Sequence, residues 1–72
     1  MQAKTKFGSR LKVLREEANL SLEQLAEKFG TSRQVFWRYE NNQREPEYET
    51  LVKIADYFGV STDYLLGRTD QK

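Results

Sequence analysis

The groups best suited to recognition chemistry fall in one short stretch: Ser32, Arg33, Gln34, Trp37 and Arg38. Taking Phe36 as the buried point of a helix, these five positions lie wholly or partly on the outward side. Guanidinium and carboxamide groups carry paired hydrogen-bonding atoms that match the edges of guanine and adenine in a major groove, and a guanidinium also fits a phosphate. Trp37 can lie against thymine methyls or sugars, or cover an apolar patch with Val35. Such a face can equally be a solvated helix surface, so its meaning depends on the elements that carry it.

Other chemistries are poorly supplied. The 72-residue chain has no His and no Cys, which removes the usual general base, the thiol nucleophile and the common zinc ligands, and with them disulfide and zinc architectures. The carboxylates Glu16, Glu17, Glu45, Glu47 and Glu49 read as solvated positions with no cleft around them. No catalytic residue, metal or cofactor is expected, and no small-molecule ligand. The apolar runs Val35-Phe36-Trp37 and Tyr64-Leu65-Leu66 are far too short to span a membrane or form a signal-peptide core, which points to a soluble, cytoplasmic chain. Net charge is only +1, but it is uneven. Residues 28–44 hold four cations against the single anion Glu40, whereas residues 45–72 hold six carboxylates against three cations.

The elements that must position the outward face are marked in the sequence. Phe7, Leu11, Leu14 and Ala18 recur at helical spacing and predict an amphipathic helix ending near Asn19. Ser21 with Gln24 forms a capping box before the stripe Leu25, Ala26 and Phe29, and Gly30 supplies a sharp exit. Ser32 caps a third helix with Phe36 and Tyr39 inward. Residues 41–46, ending in Pro46, are a loop. Leu51, Ile54, Ala55 and Phe58 predict a fourth helix to Gly59, and Ser61 caps a short fifth helix ending at Gly67. Phe7, Leu11, Leu25, Phe29 and Phe58 are core candidates. A single all-α domain over 1–72 follows, ordered at about 6–67, with fraying at 1–5 and 68–72. The second and third helices, joined by one tight turn, form a helix-turn-helix.

The chain resembles the phage repressor and Cro type helix-turn-helix domain, the Xre family. The likeness runs from Phe7 to Gly67 through Arg10-Leu11, Leu14-Arg15, Leu20-Ser21, Gln24-Leu25-Ala26, Gly30, Ser32-Arg33 and Arg38-Tyr39-Glu40-Asn41. It continues in Arg44-Glu45-Pro46, Thr50-Leu51, Lys53-Ile54-Ala55, Gly59-Val60-Ser61 and Leu65-Leu66-Gly67. The resemblance implies a compact five-helix, lambda-repressor-like fold that binds double-stranded operator DNA as a dimer and usually represses transcription. It assigns base reading to Arg33, Gln34 and Arg38, with Ser32 opening the recognition helix and Trp37 beside them. It assigns phosphate contacts to the backbone at Ser21 and Leu22 and to Asn41 and Asn42; Lys28 and Arg44, from the basic stretch, complete that set. Arg15 and Glu40 resemble a pair that bridges the first and third helices.

Four positions depart from the family pattern. Leu22 stands where a phosphate-touching Gln is common, Thr31 replaces an apolar turn residue, Phe36 is larger than the usual Val or Ile, and Trp37 is unusual on an outward face. Homodimerisation is expected through Tyr64, Leu65 and Leu66, because they offer more apolar surface than a small core consumes. The alternative is an antitoxin-like or adaptor module in which Trp37 and Val35 meet a protein partner and DNA binding is weak.

Overall fold

Local start and stop signals set the element order in the computed structural model, which describes residues 6–72. Five helices follow one another: α1 (Phe7–Glu17), α2 (Leu22–Lys28), α3 (Arg33–Glu40), α4 (Tyr48–Phe58) and α5 (Thr62–Leu66). No strand occurs among the described residues, and no helix there is long and apolar enough to cross a membrane. Residues 1–5, where fraying is expected, lie outside the described residues.

Each junction has a physical cause. Ser21 Oγ accepts the Gln24 N–H at 3.0 Å while Gln24 Oε1 accepts the Ser21 N–H at 2.9 Å, a reciprocal cap that satisfies two otherwise unpaired donors of α2. Ser61 Oγ accepts the Tyr64 N–H at 2.9 Å and starts α5 in the same way. At the α2–α3 turn Gly30 adopts φ +67°, a left-handed conformation that lets the chain reverse within three residues before Ser32. Asn19 closes α1 at φ 58°, a conformation Asn tolerates better than most residues.

The core is built from α1 (Phe7, Leu11, Leu14), α2 (Leu25, Ala26), α3 (Phe36, Tyr39), α4 (Ile54, Ala55) and α5 (Tyr64, Leu65). Aromatic edges run through it, with Phe36 5.1 Å from Tyr39 and 5.3 Å from Phe29, and Tyr39 6.0 Å from Phe7. Phe29 and Phe58, expected inside, are half-buried and flank this core, and Ala18 at the end of α1 is exposed. Helix α3 packs on α1 and α2, while α4 packs on α5.

Two expectations change at the C-terminal end. Tyr64 and Leu65 do not form a free apolar surface: they are buried inside the domain, and only Leu66 is partly open. Helix α5 packs on α1 and α4, and its apolar residues are used there. Tyr64 is further covered by the Arg10 guanidinium, 4.2 Å from the ring centroid, an attraction between a cation and the electron-rich face. Of the three residues expected to meet a second copy, Tyr64 and Leu65 are therefore spent on the core, and Leu66 alone is partly open. Residues 68–72, expected to fray, also differ: they fold back on the domain. Arg10 donates to Thr69 O and to Asp70 Oδ1, both at 2.6 Å, and to Tyr64 O at 3.0 Å. The Ser61 N–H donates to Lys72 O at 2.9 Å.

Candidate nucleic-acid interface

The outward face of α3 is held out by what its inward face buries. Phe36 is 0% exposed and Tyr39 5%, so rotation of the helix about its axis would have to pull an aromatic ring out of the core. Fully burying such a side chain is worth about 1.5–3 kcal/mol. With the rotation fixed, Arg33, Gln34 and Arg38 are exposed and Trp37 is 39% exposed. Ser32 is exposed as well, and its Oγ accepts the Val35 N–H at 3.4 Å, so its hydroxyl caps α3 while its backbone begins the projecting segment.

A second restraint fixes the far end of α3 to α1. Arg15 Nε donates to Glu40 Oε2 at 2.6 Å and Arg15 Nη2 to Oε1 at 3.1 Å, a forked pair, and Nη1 donates to Leu20 O at 2.8 Å. The Glu40 side chain is only 4% exposed and that of Arg15 13%, so both charges are largely desolvated. The hydrogen bond to Glu40 pushes the Arg15 guanidinium above its ordinary value, burial opposes this, and the Glu40 charge adds to the rise. Arg15 stays cationic in any ordinary buffer. Close by, Gly8 lets α1 approach the end of α3: a Cβ there would lie 2.6 Å from Glu40 O and 2.8 Å from Tyr39 O.

The residues assigned to phosphate contact come from α2, from the end of α3 and from the loop that follows it. Leu22 is half-buried at the start of α2, and the Ser21 N–H is already engaged by Gln24, so Leu22 supplies the freer N–H at this corner. Lys28 is exposed at the last turn of α2. Asn41 caps α3, its Nδ2 donating to Trp37 O at 2.8 Å, and Asn42 follows with φ 58°. Arg44 is exposed in the loop and lines a cleft between α3 and α4 together with Lys53 and Thr50, two residues to which the sequence assigned no binding role.

Trp37 and Val35 do not share a patch. Two residues apart on a helix they point about 200° from each other. Val35 accordingly turns toward the core and the α3–α4 cleft, while Trp37 stays on the opposite flank. The apolar surface that motivated a protein-partner reading is thus divided. Among the described residues no group of three Asp or Glu side chains is placed to hold a metal ion.

Comparison with known proteins gives a consistent picture. A family model described as "Helix-turn-helix domain" matches residues 8–71. The chain is similar to the uncharacterized HTH-type transcriptional regulator YobD of Bacillus subtilis, 43% identical over 64 residues, covering 89% of this chain and 57% of that protein. It is likewise similar to the SPbeta prophage-derived uncharacterized HTH-type transcriptional regulator YonR of the same organism, 41% identical over 63 residues, covering 88% of this chain and 58% of that protein. Among solved structures, the DNA-binding domain of the P22 c2 repressor superposes with a TM-score of 0.80 over 99% of this chain and 92% of that one. At 24% identity that likeness speaks to the fold alone. The chain spans less than two thirds of the length of the regulators it matches.

Proposed function

The chain belongs to the helix-turn-helix domain family, and from that premise we propose that it is the DNA-reading part of a transcriptional regulator. In this reading it acts in the cytoplasm as a repressor, binding a pseudo-palindromic operator as a dimer through the major groove. The observation that carries it is the division of α3 into a buried side, Phe36 and Tyr39, and an exposed side bearing Arg33, Gln34, Trp37 and Arg38.

Arg33 and Arg38 offer forked donors to guanine edges, and Gln34 offers a donor and acceptor pair to adenine. Trp37 lies beside them, where an indole can meet thymine methyls or deoxyribose. The Leu22 N–H, Asn41, Asn42, Lys28 and Arg44 fix the domain on phosphates and carry no sequence information themselves. Successive major grooves on one side of the duplex lie about 34 Å apart. The domain measures 29 × 27 × 21 Å, so two copies fit side by side at that spacing. With Tyr64 and Leu65 committed to the core, the pairing is imposed by the symmetry of the operator.

Selection of bound sequences from a random duplex library tests the reading. A two-fold symmetric motif, with half-site centres one helical turn or a multiple apart, is the expected outcome. Recovery of unenriched sequence, or a monomer by sedimentation on the best selected duplex, contradicts it.

A further inference from the structure

We propose that Tyr57 is a positioning residue for the recognition helix: through Phe29 it holds the N-terminal half of α3, and with it Arg33 and Gln34, at the setting that reads bases. That Arg33 and Gln34 read bases rests on the proposed function; that Tyr57 sets the place of their backbone does not.

A row of rings crosses the domain. Phe7 of α1 meets Tyr39 of α3 with centroids 6.0 Å apart, and Tyr39 meets Phe36 at 5.1 Å. Phe36 meets Phe29 at 5.3 Å, and Phe29 meets Tyr57 of α4 at 5.6 Å. Three of these four pairs are edge to face, an arrangement in which rings attract. The row has its inner part at Phe36, 0% exposed, and comes out to the surface at Tyr57, 44% exposed. Helix α4 packs on α5, and Tyr57 in its last turn reaches across to the α2–α3 pair. Phe58 stands beside Tyr57, edge to face at 4.9 Å.

Phe29 is the sensitive link because of its place in the chain. It is the C-cap of α2, and only Gly30 and Thr31 separate it from Ser32, the N-cap of α3. Its half-buried ring is met from the core by Phe36 and from the surface by Tyr57. Removing the outer ring frees Phe29 to swing outward, and the turn and the first residues of α3 move with it.

The far end of α3 has its own anchors. Glu40 is tied to α1 by the Arg15 fork, and the carbonyls of Tyr39 and Glu40 lie close against Gly8. Arg38 adjoins these residues, whereas Arg33 and Gln34 directly follow Ser32 at the other end. Loss of the Tyr57 ring therefore pivots α3 about its C-terminal anchor, displacing Arg33 and Gln34 and leaving Arg38 in place. A general loss of stability has no such polarity. An edge-to-face pair contributes a factor of about 2–12 to an equilibrium. A contact can bias two settings of a helix by no more than its own worth, which bounds the effect.

The test has two readouts, one without DNA. Residual dipolar couplings of the N–H bonds in α3, measured against those in α1 of the isotopically labelled full chain, report the tilt of the helix. A changed tilt is expected in Tyr57→Ala and an unchanged one in Tyr57→Phe, because the contact is made by the ring. On DNA, competition binding compares the best selected duplex with its single-base variants, each position being assigned from Arg33→Ala, Gln34→Ala and Arg38→Ala. Tyr57→Ala should lose about 2- to 12-fold in discrimination at the positions of Arg33 and Gln34 and none at that of Arg38. Tyr57→Phe should match the unaltered chain. If Tyr57→Ala melts too low to measure, Tyr57→Leu, apolar but without a ring, replaces it. Unchanged couplings, an equal loss at all positions, Tyr57→Phe behaving as Tyr57→Ala, or failure of both ringless variants to fold would overturn the proposal. If the unaltered chain selects no duplex while the couplings change as expected, the functional reading falls and the setting of α3 by Tyr57 stands.

Discussion

Replacing Gly8 with Ala probes the contact that sets the distance between the scaffold and the recognition helix. In an isolated helix this change stabilises by about 0.8–1 kcal/mol, because Ala loses less backbone freedom than Gly. Here the new Cβ would lie 2.6 Å from Glu40 O, 2.8 Å from Tyr39 O and 2.8 Å from Asn42 Oδ1. Asn42 can turn its side chain aside, but the other two atoms are backbone at the end of α3. To reach ordinary van der Waals distance α1 must retreat by the better part of an ångström, and such overpacking costs about 1–3 kcal/mol. Retreat also stretches the Arg15–Glu40 fork, now at 2.6 and 3.1 Å. Charged hydrogen bonds of this kind contribute about 1.5–3 kcal/mol, part of which is lost. After subtracting the helical gain, a net destabilisation of about 2 kcal/mol remains. For a domain of this size that lowers Tm by about 8–16 °C. Calorimetric melts of Gly8→Ala beside Lys12→Ala, an exposed position on the same helix, measure it directly. A Gly8→Ala melt at or above that of the unaltered chain would refute the close approach of α1 to α3.

Other consequences can be measured on the same footing. Glu40→Ala strands the Arg15 guanidinium at a side-chain exposure of 13% and should cost about 3–5 kcal/mol in urea denaturation, whereas Arg15→Met with Glu40→Leu together should recover most of it. Ser21→Ala removes the cap oxygen of α2 and should cost about 1 kcal/mol, read from the same curves; no change would show the capping box to be dispensable. Asp70 is held below the usual carboxylate range by its hydrogen bond to Arg10, then by the charges of Arg10 and Lys6. A depressed folded value means that the tail contact is fully present above the ordinary carboxylate pKa and is released as pH falls through the lower folded value. An NMR titration of the Asp70 carboxyl should therefore show a midpoint below that of Arg10→Ala, and equal midpoints would contradict the contact.

Much of the fold is legible in the sequence because its signals are local. Ser21 with Gln24, Ser32, Gly30, Gly59, Ser61 and Gly67 act within three or four residues, so the residues that form each junction are adjacent in the chain. The two sides of α3 are legible for the same reason: Phe36 and Tyr39 against Arg33, Gln34, Trp37 and Arg38 is a matter of helical period. What escapes is set by partners distant in sequence. Tyr64 and Leu65 look like spare apolar surface until α5 is placed beside α1, and residues 68–72 look free until Arg10 reaches Thr69 and Asp70 from the other end of the chain. The α3–α4 cleft has no local signature, since its lining is spread from Phe29 to Lys53. Val35 and Trp37, neighbours in an apolar run, are separated by the helical period itself.

Whether side chains of α3 read bases is tested most directly by comparing the motifs selected by the unaltered chain and by Arg33→Ala. Loss of preference is expected at one symmetry-related pair of base positions, about 1–3 kcal/mol of discrimination, with every other position unchanged. Identical motifs, or an equal loss of affinity on every sequence, would contradict it.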